Sequence, residues 1–473
     1  MKKYLCGHLL VVFLLGVTTA WGQAGNNSGV IAGEVNDSSG AKVAGAKVEV
    51  TSPALIQGAR DTVTSDDGLY RIVNLPPGVY SVTATQMGFT ISRRDGIEIT
   101  TGFTATVNFS LTPGAVTQTV TVTSETPVLD TQDSVVETIV SSAVLESLPI
   151  GKSAADYPSL LPGAIAAAGN QDVGGLQGEQ AQGFRIHGSA SGDYALIRDG
   201  MYFGTMHSGG TNQMTSNNPT ATQELQLESS GYAAEDWNLG GHVNIIPKNG
   251  GNNLHGTLQA DFGTSSLESA NVTPALQALG VPTPSSIRSL YEVAGGVGGP
   301  IVKDKLWFFA DVRHWVSASN QAGATYFFDA QESAPYPNNL YYAADSSRPA
   351  YISNTYTDGG LRLTWQATKR NQFTEDFVQE NNCNCFYTIN QGLLAPEATT
   401  DHYYQPNWRE QATWTFPVNN KLVLWAGFTA VIGNLNMNVR PADQGGATGT
   451  SYSVVDTTAN FTYSAPAGPL RYV

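Results

Sequence analysis

Three short patterns in the sequence have residue types that could support chemistry. Gly151-Lys152-Ser153 matches the end of a phosphate-binding loop, but the glycine that such a loop requires earlier is replaced by Glu146. Residues 188–192 have the glycine spacing of a nucleophile elbow, yet Ala190 stands where the serine would be. The histidines form no pair at metal-binding helical spacing. The sequence therefore predicts no catalytic residues, no cofactor and no metal site, and it argues against an enzyme.

The cysteines offer a second kind of chemistry. Of the three cysteines, Cys6 lies near the N-terminus, and Cys383 and Cys385 are separated by a single residue. An extended chain places both of the latter side chains on one face, near the limit of disulfide reach. A disulfide in an oxidising compartment, a pair of thiols without a special role and a metal site are the three alternatives. No additional cysteine or histidine pair completes a metal site, so a Cys383–Cys385 disulfide is favoured over a metal.

The N-terminus has the features of an export signal. Lys2 and Lys3 precede an apolar run over residues 9–17, and Ala20-Trp21-Gly22 supplies small residues for cleavage. A single membrane anchor is the alternative, but the apolar run is shorter than the ~20 residues of a spanning helix. We therefore predict a signal peptide over residues 1–22.

The composition favours an outer-membrane β-barrel among exported proteins. The net charge of −15 argues against nucleic-acid binding, which requires clustered basic residues. Only 13% of residues are charged, 50 are glycine and 10% are aromatic. Glycine-rich and aromatic-rich alternating sequence is typical of such barrels.

Residues 27–113 are predicted to form a compact β-sandwich. Short alternating segments are separated by turn signals such as Ser39-Gly40 and Asp67-Gly68. The pattern of residues 66–70, 75–80 and 88–89 resembles the carboxypeptidase regulatory-like (transthyretin-like) domain. This resemblance implies a binding or structural module, because no zinc-protease motif accompanies it.

Residues 118–250 carry an ordered series of strand-end motifs. The series resembles the plug domain of TonB-dependent outer-membrane receptors, and its departures from the usual pattern resemble the Oar-like branch of that family. The resemblance implies an α+β plug with functional positions at its strand ends, although a buried strand-end contact is the plainer interpretation of each. The plug-motif residues are Arg185, Gly188, Arg198, Asp199, Gly200, Glu224, Gly240, Gly241 and Asn244.

A threonine-valine repeat stands between these two regions. Residues Val120, Thr121, Val122 and Thr123 alternate as in a strand. The segment could be the last strand of the sandwich or the first strand of the plug. Its position also suits the segment that pairs with a TonB-type protein by β-strand addition.

Residues 251–473 are predicted to form part of a transmembrane antiparallel β-barrel. The hairpin over residues 298–310 is similar to a recognisable hairpin of Oar-like receptors. About eight strands follow Leu254, whereas plugged transporters have about 22. We therefore expect the chain to be the N-terminal portion of a longer receptor.

The predicted fold class is mainly β, with an N-terminal β-sandwich, an α+β plug and a partial barrel. By resemblance, the function is TonB-dependent substrate uptake or signalling in the cell outer membrane, with a periplasmic N-terminal domain. The implied partners are a TonB-type energy-transducing protein, outer-membrane lipid and an extracellular substrate, which could be a sugar, a peptide or an exported protein. The alternative is a secreted or surface β-rich adhesin or carbohydrate-binding protein.

Overall fold

The computed structural model places three β-rich regions in chain order. It describes residues 28–55, 58–114, 119–123, 136–147, 157–166, 184–190, 193–204, 217–231, 240–269, 272–279, 286–320, 327–329, 343–387, 389, 394–419, 422–439, 453–457 and 461–463. The helices of these residues are all too short or too polar to cross a membrane. The predicted signal peptide lies outside the described residues.

The first region is a sandwich of two sheets, and its apolar residues alternate along most strands. One sheet has the order β4-β1-β7, with β8 also on β1, and the other has the order β3-β2-β5-β6-β9. The strands are β1 (Gly29–Asp37), β2 (Lys47–Thr51), β3 (Ala59–Val63), β4 (Leu69–Leu75), β5 (Gly78–Thr85), β6 (Ile91–Ile99), β7 (Thr104–Thr106), β8 (Phe109–Leu111) and β9 (Thr119–Thr123).

The sandwich core is apolar and fully covered. Val50 on β2 lies opposite Val82 on β5, and both side chains are buried together with Val48, Tyr80 and Ile31. The polar tip of Tyr80 is satisfied because its hydroxyl donates to the Pro76 carbonyl at 2.6 Å. Burial of these apolar side chains stabilises the sandwich.

The second region is a mixed sheet with short helical segments. Its order is β10-β15-β16-β13-β14, and β13 runs parallel to β16 whereas the other pairs are antiparallel. A separate pair joins β11 to β12. The elements are β10 (Val136–Ser141), α1 (Ser142–Ser147), a 3-10 turn (Tyr157–Leu160), β11 (Ala164–Ala166), β12 (Phe184–Ile186), β13 (Ala195–Arg198), β14 (Met201–Tyr202), a 3-10 turn (Pro219–Ala221), β15 (Thr222–Ser230) and β16 (His242–Pro247).

The third region is an antiparallel sheet that we call the strand wall. Its order is β17-β18-β19-β22-β23-β24-β25, with β26 also on β24, and two small hairpins, β20–β21 and β27–β28, lie outside it. The elements are β17 (His255–Gly263), a 3-10 turn (Ser265–Leu267), α2 (Pro274–Ala278), β18 (Ser286–Val302), β19 (Leu306–Asn320), β20 (Phe327–Asp329), β21 (Ala344–Pro349), β22 (Tyr351–Gln366), β23 (Gln372–Tyr387), a 3-10 turn (Pro396–Ala398), β24 (Thr400–Pro417), β25 (Val423–Ile432), β26 (Leu435–Val439), β27 (Val454–Asp456) and β28 (Phe461–Tyr463).

The strand wall is an open sheet within the described residues. β17 pairs with β18 alone, and β25 pairs with β24 alone. The turns after β18, β22 and β24 are short and lie at one end of the wall, next to the sandwich. These findings confirm the predicted fold class, and the barrel is not closed.

Candidate functional site

The two faces of the strand wall differ sharply in chemistry. Strand alternation exposes apolar side chains on the outer face, among them Val312, Leu361 and Phe377. Their sequence neighbours Arg313, Arg362 and Asp376 point to the other face and are almost completely covered. Side chains of successive residues point to opposite faces of a strand, so one sheet carries an apolar outer face and a charged, covered inner face.

A tight turn of the second region presents a charged pair to this inner face. β13 ends at Arg198, and β14 starts at Met201, so Asp199 and Gly200 form a two-residue turn. Their φ angles are 50° and 72°. Two consecutive positive φ values are typical of a type I′ hairpin turn, which accepts aspartate followed by glycine. The turn thereby fixes the directions of the Arg198 and Asp199 side chains.

Arg198, Asp199, Arg362, Asp376 and Arg409 meet at this point, and we call them the plug–wall charge cluster. The Arg198 Nη2 atom lies 3.1 Å from Asp376 Oδ2, and Arg362 Nη1 lies 2.5 Å from Asp199 Oδ2. Arg362 Nη1 also lies 3.2 Å from Asp376 Oδ2, and Arg409 Nη2 lies 3.5 Å from Asp376 Oδ1. Asp376 is therefore contacted by three guanidinium groups, one from the second region and two from the wall.

The register of the wall assembles its half of the cluster. Arg362 on β22 lies directly opposite Asp376 on β23, and Gln411 on β24 is the opposite neighbour of Asp376. Gln411 Nε2 donates to the Arg198 carbonyl at 3.2 Å. Cross-strand neighbours on one face lie within contact distance, so three adjacent strands form one polar surface for the turn.

Asparagine side chains extend the contact on both sides of the turn. Asn217 Oδ1 accepts from Arg198 Nη1 at 2.9 Å, and Asn218 Nδ2 donates to Asp311 Oδ2 of the wall at 2.9 Å. Asn249 Oδ1 accepts from Arg362 Nε at 2.7 Å. The interface is therefore a network of ion pairs and amide hydrogen bonds between the second region and the wall.

Of the predicted plug-motif residues, four belong to this interface or support it, and a fifth, Gly240, lies at the opposite end of β13 and β16. Arg198, Asp199 and Gly200 form the turn. Asn244 Oδ1 accepts from the Gly200 amide at 3.3 Å and its Nδ2 donates to Gln226 Oε1 at 2.9 Å, so it braces the turn from β16. Gly240 lets the chain approach Asp193 closely, because an added Cβ would lie 2.4 Å from the Asp193 carbonyl oxygen.

The other predicted residues lie elsewhere. Arg185 is exposed on β12, and Gly188 follows it in a turn with φ of 83°. Gly241 directly precedes β16, and an added Cβ there would lie 2.7 Å from the Phe184 ring. None of these three residues reaches the plug–wall charge cluster.

Glu224 connects the second region to the sandwich. Its Oε1 accepts a hydrogen bond from the Thr101 amide at 2.8 Å, and the side chain is buried. Burial raises the pKa of the Glu224 carboxyl above its usual value, and the hydrogen bonds with Thr101 oppose that shift. A titratable carboxyl group therefore lies in the contact between the sandwich and the second region.

The segment Val120–Thr123 lies in β9, which is an edge strand of the sandwich. β9 runs parallel to β6, from the Ile91–Thr119 pair to the Asp95–Thr123 pair. Among the described residues β9 has no second partner strand, so its other edge presents unpaired backbone groups. The structure therefore places the segment in the sandwich sheet, one of the alternatives that the sequence left open.

Cys383 and Cys385 are bonded to each other, as the sequence predicts. Cys383 and Cys385 on β23 form a disulfide with a Cα–Cα distance of 5.4 Å. The Asp401 carboxylate is close to both sulfurs, but its Oδ1 accepts from the Phe386 amide at 2.9 Å. Oxidised sulfurs are not thiolate ligands, so this group is a structural bridge within one strand.

Sequence reasoning missed the wall half of the cluster. Arg362, Asp376 and Arg409 belong to no motif, and single charged residues in alternating strands are usually assigned to solvent. A signal was nevertheless present, because each has large apolar neighbours at the adjacent position, such as Leu361 and Phe377. A membrane-facing strand requires the opposite assignment, with the charged residue facing inward.

Comparison with known proteins identifies two relationships. The family model of the carboxypeptidase regulatory-like domain matches residues 30–112. Over 310 residues the chain is 27% identical to the TonB-dependent transporter Oar of Myxococcus xanthus, and the match covers 63% of this chain and 28% of that protein. The chain therefore spans less than a third of the length of this curated relative. The findings confirm both resemblances predicted from the sequence, and this relative is a transporter.

Solved structures of outer-membrane proteins are also similar to the chain. The outer membrane transporter YddB from Escherichia coli is 13% identical, with a TM-score of 0.44, over 70% of this chain and 43% of that chain. The siderophore receptor PirA from Acinetobacter baumannii is 17% identical, with a TM-score of 0.37, over 59% of this chain and 37% of that chain.

Proposed function

We propose that this chain, a relative of the TonB-dependent transporter Oar that carries a carboxypeptidase regulatory-like domain, acts in TonB-dependent transport across the outer membrane. In this proposal the wall is part of a membrane-spanning barrel, the second region is its plug and the sandwich lies in the periplasm. The complete protein takes up an extracellular substrate or passes a signal inward.

The observation that carries the proposal is the inverted polarity of the strand wall. Val312, Leu361 and Phe377 are exposed on the outer face, whereas Arg362 and Asp376 are covered on the inner face. In water this arrangement leaves apolar surface exposed, but in a bilayer the outer face contacts lipid. Aromatic pairs near the short turns, such as Trp365–Phe373 with 5.5 Å between ring centroids, fit the girdle expected at a membrane interface.

The plug–wall charge cluster suits a plug that must move. Its contacts are charged and amide hydrogen bonds, and such groups can be rehydrated when the plug leaves the wall. Breaking these polar contacts exposes groups that water can solvate, whereas the apolar contact of Val431 with the plug core would cost free energy in proportion to its area. The proposed role of Arg198, Asp199 and Gly200 is to hold the plug against the wall at rest.

Strand β9 is the proposed contact for the energy-transducing partner. Its free edge can accept a strand of a TonB-type protein by β-strand addition, in which backbone hydrogen bonds supply affinity. β9 directly precedes the plug in sequence, so a pull on it is transmitted along the chain toward β10. Val120, Thr121, Val122 and Thr123 are the residues that we assign to this role.

Cross-linking in intact cells tests the proposal. Val120→Cys and Val122→Cys variants should form disulfide cross-links with cysteines placed in the partner strand of the TonB-type protein. The control is Met87→Cys on the same sandwich, because Met87 is 89% exposed and lies outside β9. Cross-links at the β9 positions alone, in an outer-membrane fraction, support the proposal. Secretion of the chain into the medium without cross-links contradicts it and favours an adhesin.

A further inference from the structure

A cleft of about 650 Å³ separates the sandwich from the short turns of the strand wall. One side is formed by the edges of β3 and β4, and the other by the turns after β18, β22 and β24. One hydrogen bond links the two sides directly, from Asn74 Nδ2 to Gln372 Oε1 at 3.2 Å. The cleft is thus an interface between two domains that leaves space for a small ligand.

The charge of the cleft is opposite to that of the whole chain. The sandwich contributes Arg60 and Arg71, and the turns contribute Lys305, Lys369 and Arg370. The lining carboxylates are those of Asp61 and Asp304, so five cations face two anions in a protein of net charge −15. A local concentration of positive charge in an acidic protein indicates attraction of an anion.

The lining carboxylates already have partners. Asp304 Oδ1 accepts from Asn252 Nδ2 at 2.7 Å, and Asp61 Oδ2 lies 3.7 Å from Lys47 Nζ. Neither of them forms an ion pair with a lining cation among the described residues. The positive charge of the cleft is therefore not neutralised from within.

The cations retain hydrogen-bond donors for a ligand. Within the described part of the chain, the side chains of Arg71, Lys305 and Lys369 make no hydrogen bond or ion pair. Arg60 donates from Nη1 to the Val73 and Asn74 carbonyls at 3.0 and 2.6 Å, which leaves Nε and Nη2. Arginine and lysine donors at two sides of a cleft match the several oxygens of a phosphate group.

Like charges on the two sides also have a mechanical consequence. The sandwich side and the turn side both carry net positive charge and repel each other, and at physiological salt such repulsion is largely screened beyond about 8 Å. A bound anion would replace this repulsion with attraction to both sides. Its binding would therefore be coupled to docking of the sandwich against the wall.

We propose that this cleft binds a phosphate-bearing anion and that the anion holds the sandwich against the turns of the wall. The phosphate group can belong to a lipid headgroup of the adjacent membrane leaflet or to a soluble phosphate compound. This inference concerns residues outside the plug and β9, and only its lipid source rests on the proposed membrane location of the wall.

Spin-label distances in the full chain test the proposal. Labels at Met87→Cys on the sandwich and Leu422→Cys on the wall report docking, with the native disulfide retained. The probes are inorganic phosphate added to the chain in zwitterionic detergent, and nanodiscs of phosphatidylglycerol or phosphatidylcholine. Phosphate or phosphatidylglycerol should narrow the distance distribution, and phosphatidylcholine should not. Narrowing by phosphatidylglycerol alone identifies a lipid headgroup, and narrowing by phosphate in detergent identifies a soluble ligand.

A pair of charge-matched variants separates the cleft from general electrostatics. For the probe that narrows the distribution, the Arg71→Gln/Lys369→Gln variant should need about tenfold more of it for half of the narrowing. This tenfold change corresponds to the loss of ~1.4 kcal/mol of binding free energy. Lys303→Gln with Arg93→Gln removes the same charge outside the cleft and should change the response by less than about twofold. Without any anion, the spin-label distance distribution of the Arg71→Gln/Lys369→Gln variant should also be narrower than that of the unaltered chain. The reason is the reduced repulsion between the two sides of the cleft. No response to either anion, or equal responses in both variants, would overturn the proposal.

Discussion

The sandwich and the plug–wall contact are stabilised by opposite kinds of interaction. The sandwich encloses a continuous apolar core, in which Ile31, Leu75 and Val82 have no exposed surface. At the plug–wall contact the covered side chains include Arg198, Asp376 and Arg409, and each is at most 3% exposed. One region is stabilised by the burial of apolar surface, and the other by the mutual compensation of charges.

This difference assigns a mechanical role to each region. An apolar core resists partial opening, because every exposed side chain costs free energy in proportion to its area. A charge network is strong while it is complete and weak once one member is lost, because the remaining charges stay buried without compensation. In the proposed transport function, the sandwich is therefore suited to remain folded while the plug is displaced.

Loss of the central anion should give the largest effect. Asp376→Asn leaves three guanidinium groups around a neutral side chain, and breaking a buried pair in this way costs about 3–5 kcal/mol. The urea concentration at which the plug becomes sensitive to protease should fall accordingly. Asp67→Asn on an exposed sandwich turn is the control. Equal midpoints for the two variants would show that the cluster does not hold the plug.

Truncation of a core side chain in the sandwich should destabilise the sandwich and leave the plug–wall contact unchanged. Leu75→Ala removes a fully buried side chain and should destabilise the sandwich by about 2–5 kcal/mol. Leu69→Ala on the same strand is the matched control, because Leu69 is 50% exposed. Thermal unfolding should register the loss, while the protease sensitivity of the plug stays unchanged. A parallel loss of plug protection would contradict the separation of the two regions.

The type I′ turn should show an intermediate effect. Gly200→Ala places a side chain at φ of 72°, which costs about 1–2 kcal/mol for an L-residue. Gly359→Ala on β22 is the control, because its new Cβ would meet nothing closer than 3.6 Å. Plug protection against protease should fall for the first variant only. If both variants behave alike, the turn geometry is not what positions Arg198 and Asp199.

The smallest expected effect is a pH dependence at the sandwich–plug junction. The raised pKa of Glu224 means that the folded state takes up a proton more readily than the unfolded chain, whose carboxyl titrates near 4.5. The cost of burying the ionised Glu224 carboxylate is complete above the raised pKa. The free energy of unfolding should therefore rise as the pH falls through the raised pKa toward 4.5.

Hydrogen exchange of the Thr101 amide as a function of pH measures this effect. Glu224→Gln keeps an acceptor for that amide but cannot ionise, so it should abolish the pH dependence. Glu98→Gln removes an exposed neighbouring carboxylate and should leave most of the pH dependence in place. A pH profile that survives in Glu224→Gln would assign the titration to another group.

The sequence predicted the elements of the fold better than the contacts between them. Alternation and turn residues identified the sandwich strands, and Asp199 and Gly200 of the strand-end motifs form the turn after β13. Local signals of this kind depend on a few neighbouring residues. The placement of β9 on β6 could not be decided, because a threonine-valine repeat fits any exposed edge.

The charge cluster required information that no local pattern contains. Arg198 and Asp376 are 178 positions apart, and their contact depends on the register of strands across two regions. Arg362 and Asp376 are opposite neighbours only because the turn after β22 has its particular length. The alternation of charged and apolar residues within each strand was the one available signal. It becomes informative only when the strand is assumed to face a membrane.

Pulling on the chain by its proposed attachment point is the most direct test of this account. A handle at Thr123→Cys, the last residue of β9, and an anchor at Leu422→Cys place the plug–wall contact on the covalent path between the two attachment points. The account predicts that the plug leaves the wall before the wall unfolds, and that Asp376→Asn lowers the release force. Release at the same force in Asp376→Asn, or unfolding of the wall before the plug leaves, would contradict it.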